Sequence, residues 1–199
     1  QTVFESEKYK QIEGLRFSSD SEFLIVAAIE PDGTNVADII GLEAFDKIIR
    51  IELDDFITGF AVTEGLICVG TNMGEVLIFD FNNKILKKYK LDSRVADIRI
   101  SADDSNIAIV ENEEGSYFKL HQINVHSFEI ANIYATSDGD MRNHVKCKYS
   151  PDSKYLVSFG GSPIQGALEV FDAKTGMLLW EESRVHFRVI VDASISPDS

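Results

Sequence analysis

Lys146-Cys147-Lys148-Tyr149-Ser150-Pro151-Asp152-Ser153, followed closely by Tyr155-Leu156-Val157-Ser158-Phe159, is the stretch that decides the fold. A short alternating segment ends in a Ser-x-Asp turn, and a compact apolar run follows the turn. Related octets occur at Gly14-Leu15-Arg16-Phe17-Ser18-Ser19-Asp20-Ser21, at Asp97-Ile98-Arg99-Ile100-Ser101-Ala102-Asp103-Asp104 and at Asp192-Ala193-Ser194-Ile195-Ser196-Pro197-Asp198-Ser199. The turn serines stand at 18, 101, 150 and 196. The long first interval is two periods, with Phe60-Ala61-Val62-Thr63-Glu64-Gly65 in the midway position. A repeat of about 40 to 50 residues is read before any local propensity, because each unit then has to bury its apolar face against the next.

Apolar runs follow the turns at 23–28, 66–69, 107–110 and 155–159. Continuous apolarity over so few residues marks a strand covered on both faces. A third strand closes on Ile78-Phe79-Asp80 in one unit and on Val170-Phe171-Asp172 in another, and a last strand follows a polar turn, as in 84–91 and 177–182. Four strands per unit is the composition of a propeller blade. The reading is therefore all-β: one β-propeller spanning 1–199, with blades at about 12–53, 56–91, 94–134 and 144–182 and a fifth opening at 185–199. Apolar residues at 36, 39, 40, 44, 48 and 51 also fit a helical period. Alignment with the other units makes the same stretch a third strand, Val36 to Leu42, and a fourth, Lys47 to Leu53.

Taken together, the Ser-Pro-Asp-Ser turns, Tyr155-Leu156-Val157-Ser158 and Leu168-Glu169-Val170-Phe171-Asp172-Ala173-Lys174-Thr175-Gly176 resemble the WD40-type repeat. Phe stands where that family has Trp before Asp80 and Asp172, no Gly-His pair precedes a first strand, and the turns Asn72-Met73-Gly74 and Glu113-Glu114-Gly115 lack the family's Asp. The resemblance implies a degenerate member without the Asp-His network that staples ordinary blades. It also implies a non-catalytic protein-interaction scaffold. Two narrower resemblances rest on the fourth unit. Asp172-Ala173-Lys174-Thr175-Gly176 with Trp180 is similar to quinoprotein-type repeats, which would make the chain part of an enzyme. The lengthened turn from Gly160 to Gly166 is similar to the propellers of translation-initiation-factor scaffolds. A propeller attached to a hydrolase domain is the other enzymatic alternative.

The chain carries 33 acidic and 19 basic side chains among 199 residues, a net charge of −14. That excess opposes direct binding of nucleic acid, whose phosphates demand clustered Lys and Arg, and suits a protein or peptide partner with a basic surface. With 44% hydrophobic and 26% charged residues, the composition is that of a globular protein without a membrane span. Cys68 and Cys147 sit inside apolar runs and read as small buried hydrophobes. The absence of an Asn-x-Ser/Thr acceptor leans toward a cytoplasmic or nuclear compartment.

His121, His126, His144 and His186 form no ligand spacing, the acidic turns at 103–104 and 137–140 lack the alternation of a calcium loop, and Gly160-Gly161-Ser162-Pro163 is no nucleophile elbow. Neither a metal nor a cofactor is expected. Lys84, Lys87, Lys88 and Lys90 read as a charged outer edge that discourages strand addition. Trp180, Phe79, Phe171 and Phe187 read as core between blades. The expected partner contacts are Arg94, Arg142, His144, Arg184 and His186, cationic groups flanking the entries to first strands. The ring is expected to be completed by further sequence or by another chain.

Overall fold

The computed structural model describes residues 9–18, 20–44, 46–63, 65–113, 117–135, 144–162, 165–183 and 189–196. Sixteen strands in these residues form four antiparallel four-stranded sheets, each in sequential order. Blade 1 holds β1 (Gln11–Phe17), β2 (Phe23–Ile29), β3 (Asn35–Gly41) and β4 (Asp46–Leu53). Blade 2 holds β5 (Ile57–Val62), β6 (Ile67–Thr71), β7 (Glu75–Phe79) and β8 (Ile85–Lys90). Blade 3 holds β9 (Arg94–Ile100), β10 (Asn106–Glu113), β11 (Tyr117–Asn124) and β12 (Ile130–Ala135). Blade 4 holds β13 (His144–Tyr149), β14 (Tyr155–Ser162), β15 (Gln165–Asp172) and β16 (Leu178–Ser183). Successive blades pack through their first strands: β1 against β5, β5 against β9 and β9 against β13. First strands thus line the axis, and fourth strands form the rim. The stretch from 36 to 51 is strand, turn and strand, as the repeat requires, and no helix occurs among the described residues.

The turn that sets the repeat has one geometry in three blades. Ser101 Oγ donates to Asp103 at 2.6 Å and Ser150 Oγ to Asp152 at 2.7 Å, and Ser18 makes the same bond to Asp20. Each hydroxyl also accepts the N–H that opens the next strand, from Phe23, Asn106 and Tyr155 at 3.0, 3.0 and 2.9 Å. The residue after the Asp is left-handed in each, with φ of 64° at Ser21, 55° at Asp104 and 59° at Ser153. Thr63 takes the serine's place in blade 2, where its hydroxyl accepts the N–H of Leu66 at 3.2 Å in a shorter turn.

Alternation within these strands divides the apolar residues between two neighbours. Ile67 and Val69 of β6 pack with Ile25, Ile39 and Ile51 of blade 1, whereas Cys68 between them packs with Ile98, Ile107 and Ile109 of blade 3. Ala108, Val110 and Leu120 of blade 3 meet Cys147, Leu156 and Phe171 of blade 4. Each fully buried aliphatic or aromatic side chain here contributes about 1.5 to 3 kcal/mol. Gly70 lets β9 approach: a Cβ there would lie 2.4 Å from Val95 Cγ1. Phe79 and Phe171 are buried as the sequence suggested, while Phe187 lies outside the described residues. Trp180 does not follow the expectation of core. It lies opposite Val170, which lies opposite Val157, on the face of blade 4 turned away from blade 3, and it is 47% exposed. Among the described residues no further blade covers that face. Lys88 pairs with Glu75 at 2.7 Å and Lys90 reaches the carbonyl of Met73, so the charged edge of β8 is anchored to its own blade.

Candidate functional site

Of the five cationic positions expected to contact a partner, Arg94 is described: it opens β9, is half-buried, and its Nε is buried without a hydrogen-bond partner. His144 opens β13 in the adjacent blade, but its side chain, with Arg142, Arg184 and His186, lies outside the described residues. The surroundings of Arg94 contain a feature that sequence reasoning missed. Asp55 accepts the N–H of Phe56 at 2.8 Å and, through its other oxygen, the N–H of Met73 at 2.6 Å. Asn72 N–H donates to the Phe56 carbonyl at 2.9 Å, so the chain entering β5 and the β6–β7 turn are clamped together. The clamp continues to the residues before Arg94, because Leu91 N–H donates to Gly74 O at 2.8 Å. Gly74 has φ of 80°, and a Cβ there would meet Ser93 O at 2.4 Å. Phe56 and Met73 are thereby held 54% and 63% exposed, with Asp54 and Asp55 just before Phe56 in sequence. Nothing in the sequence announces that two apolar loop residues stay outside the core.

Between this loop end and the core of blade 3 sits a buried carboxylate–imidazole pair. Glu111, 1% exposed, lies 2.7 Å from His121 Nε2, accepts the Ser93 N–H at 2.8 Å, and has Lys119 Nζ at 3.8 Å. Burial raises the Glu111 pKa, but His121, Ser93 and Lys119 outweigh it and hold the carboxyl below its ordinary value. The pair joins two adjacent strands of blade 3, β10 and β11, and ties them to the chain entering β9.

At the opposite end of the first strands a second pattern repeats. Two residues before each turn hydroxyl stand Arg16, Ala61, Arg99 and Lys148. Each cation donates to the carbonyl three residues before the next turn hydroxyl: Arg16 to Phe60 O at 2.7 Å, Arg99 to Cys147 O at 3.0 Å, and Lys148 to Ala193 O at 2.7 Å. Blade 2 has no cation to give, and Arg16 also serves Ile98 O of blade 3 at 2.6 Å. Asp97, 1% exposed, completes the latch by accepting Arg16 Nη2 at 2.5 Å and Cys147 N–H at 3.1 Å. Arg16 also lies over the Phe60 ring at 4.8 Å. Lys148 further pairs with Asp192 at 2.6 Å, so residues 189–196, which carry no strand ladder, are held beside β13 as each first strand is held beside the one before it. The signal was present in Arg16-Phe17-Ser18, Arg99-Ile100-Ser101 and Lys148-Tyr149-Ser150.

A surface cavity of about 410 Å3 lies at Ala61 between Arg16 and Arg99, lined also by Leu15, Phe17, Val62 and Ile100. Among the described residues no group of three or more His, Cys, Asp or Glu is placed to hold a metal ion. No helix there is long and apolar enough to cross a membrane.

No protein-family model and no curated protein matches the sequence. Solved structures do resemble the fold. Hydrazine synthase of Kuenenia stuttgartiensis superposes with a TM-score of 0.71 at 16% identity, over 96% of this chain and 52% of that one. The β-propeller domain of Myceliophteria thermophila Cps50 (Swd1) gives 0.69 at 15% identity, over 98% and 61%. A chain of the mitotic checkpoint complex gives 0.66 at 15% identity, over 88% and 52%. The chain is a β-propeller fold that spans about half to three-fifths of the length of these structures.

Proposed function

We propose that this chain is part of a non-catalytic interaction scaffold whose loop-bearing end, around Arg94, Phe56 and Met73, binds a protein partner with a basic surface. The clamped, exposed pair Phe56 and Met73 carries this reading. Large apolar side chains held rigid at a surface contribute most at interfaces, because little side-chain or loop entropy is lost on binding. The acidic body sets the partner's charge. The resemblance of the fold to Swd1 and to a chain of the mitotic checkpoint complex supports a scaffold. Affinity capture tests it. Wild type should retain a protein that Phe56→Ser/Met73→Ser loses. A protein retained equally by both would place the surface elsewhere.

The ring, on this reading, is completed by further blades from the same polypeptide or from another chain. Its support is the outward face of blade 1, where Leu15 and Phe17 are 56% and 66% exposed, and that of blade 4, where Trp180 is half-exposed.

A further inference from the structure

The latch at the axis is regular except at blade 2. Arg16, Arg99 and Lys148 all fill the position two residues before the turn hydroxyl, and only blade 2 puts a methyl group there, at Ala61. The first strands are also unlike the rest of the molecule in charge. They carry Arg16, Arg94, Arg99, Lys146 and Lys148 against Glu13 and Asp97, inside a chain of net charge −14. An anion reaching the turn end of these strands meets Arg16, Arg99, Lys146 and Lys148 beside the single carboxylate of Asp97.

We propose that the cavity at Ala61 is a binding site for a carboxylate carried on an apolar body, the carboxylate seated between Arg16 and Arg99 and the body against Ala61, Val62 and Ile100. Four features support this. The two guanidiniums share one carboxylate, Asp97, at 2.5 and 3.4 Å, and no second carboxylate pairs with them among the described residues. Arg99 spends Nε on Cys147 O and Nη2 on Asp97, so its Nη1 has no protein partner among the described residues. The volume falls within the range of about 300 to 1,000 Å3 usual for small-molecule sites. In the next position of the same collar, Lys148 receives the Asp192 carboxylate at 2.6 Å, so the chain itself places a carboxylate against a collar cation. Burial and the nearby Arg99 both lower the Arg16 pKa, as expected of two guanidiniums short of an anion. The site lies at the end of the first strands remote from Phe56 and Met73 and does not depend on the scaffold reading. A free carboxylic acid and the C-terminal carboxylate of a peptide offer the same chemistry.

Isothermal titration of the 199-residue chain with octanoate, octanol, acetate, acetyl-Gly-Gly-Leu and the amide of that peptide tests the assignment. Saturable binding of octanoate or of the free-acid peptide is expected, at least about tenfold tighter than octanol or the amide respectively, with acetate weaker than octanoate. The acid that binds tells which source the site takes. Ala61→Leu narrows the cavity without removing a latch bond and should abolish binding, with circular dichroism and a cooperative melt showing that the variant is folded. Arg99→Leu should weaken binding at least about tenfold, and Arg99→Lys separates loss of charge from loss of the planar fork. No saturable binding of either acid, equal binding of octanol and octanoate, or undiminished binding to Ala61→Leu would each overturn the proposal.

Discussion

Replacing Arg16 by Met would remove the longest-reaching bond of the axial latch while keeping most of the side-chain volume. Three hydrogen bonds go, to Phe60 O at 2.7 Å, Ile98 O at 2.6 Å and Asp97 Oδ1 at 2.5 Å, together with the contact over the Phe60 ring. Removing one partner of a buried ion pair costs about 3 to 5 kcal/mol when the other charge is stranded. Asp97 is not wholly stranded, because Cys147 N–H and Arg99 remain at 3.1 and 3.4 Å, and the Arg16 side chain is 23% exposed. Solvent screening reduces the loss, and about 2 to 3 kcal/mol is expected. Urea denaturation at neutral pH reads it directly. Asp97→Asn alone and combined with Arg16→Met closes a double-mutant cycle, whose coupling should exceed about 1 kcal/mol. A loss below about 1 kcal/mol for Arg16→Met, or zero coupling, would refute the latch as a stabilising device and leave apolar packing to hold the blades alone.

Three further outcomes are expected. Glu111 has a lower pKa in the folded state than in the unfolded chain, so its contribution is present above about pH 4.5 and is lost as pH falls through the folded value; melting temperatures between pH 7 and pH 3 should drop less steeply for Glu111→Gln than for wild type. Gly70→Ala places a methyl group 2.4 Å from Val95 Cγ1 and should cost about 1 to 3 kcal/mol in the same urea experiment, and an unchanged midpoint would mean that β6 and β9 are less closely packed than described. Cys68 and Cys147 are fully buried, and burial pushes the Cys68 thiol up to about 12 and that of Cys147 higher still, so a thiol reagent should label them only on unfolding; rapid labelling of native protein would contradict this.

The blades were legible because the turn chemistry repeats in the chain: a serine with an acid two residues later stands at Ser18, Ser101 and Ser150, whereas the left-handed residue that follows each acid appears only in the structure. The same repeat resolved 36–51, where apolar spacing alone fitted two structures. The rest depended on register or neighbourhood. Glu111 and His121 are ten residues apart and meet because β10 and β11 pair antiparallel, Glu111 opposite Lys119. Trp180 has the residue type of a core position, but its exposure is set by whether a blade lies beyond β16. The collar cations are visible in the sequence, yet their role appears only when the next blade's carbonyl is found 2.7 to 3.0 Å away. Phe56 and Met73 gave no signal, since a loop hydrophobe turns inward or outward with the same local sequence.

The most direct test of four latched blades with exposed apolar side chains at Leu15, Phe17 and Trp180 on their outward faces is size-exclusion chromatography coupled to light scattering on the 199-residue chain, alone and as Leu15→Glu/Phe17→Glu/Trp180→Glu. Burying three such large apolar side chains against a second copy contributes about 1.5 to 3 kcal/mol each, comparable in sum with a domain's net stability. Wild type should therefore run as an assembly heavier than 22.2 kDa, and the triple variant should move toward a monomer. A wild type that runs as a single 22.2 kDa species and unfolds in one cooperative transition would contradict the open arc.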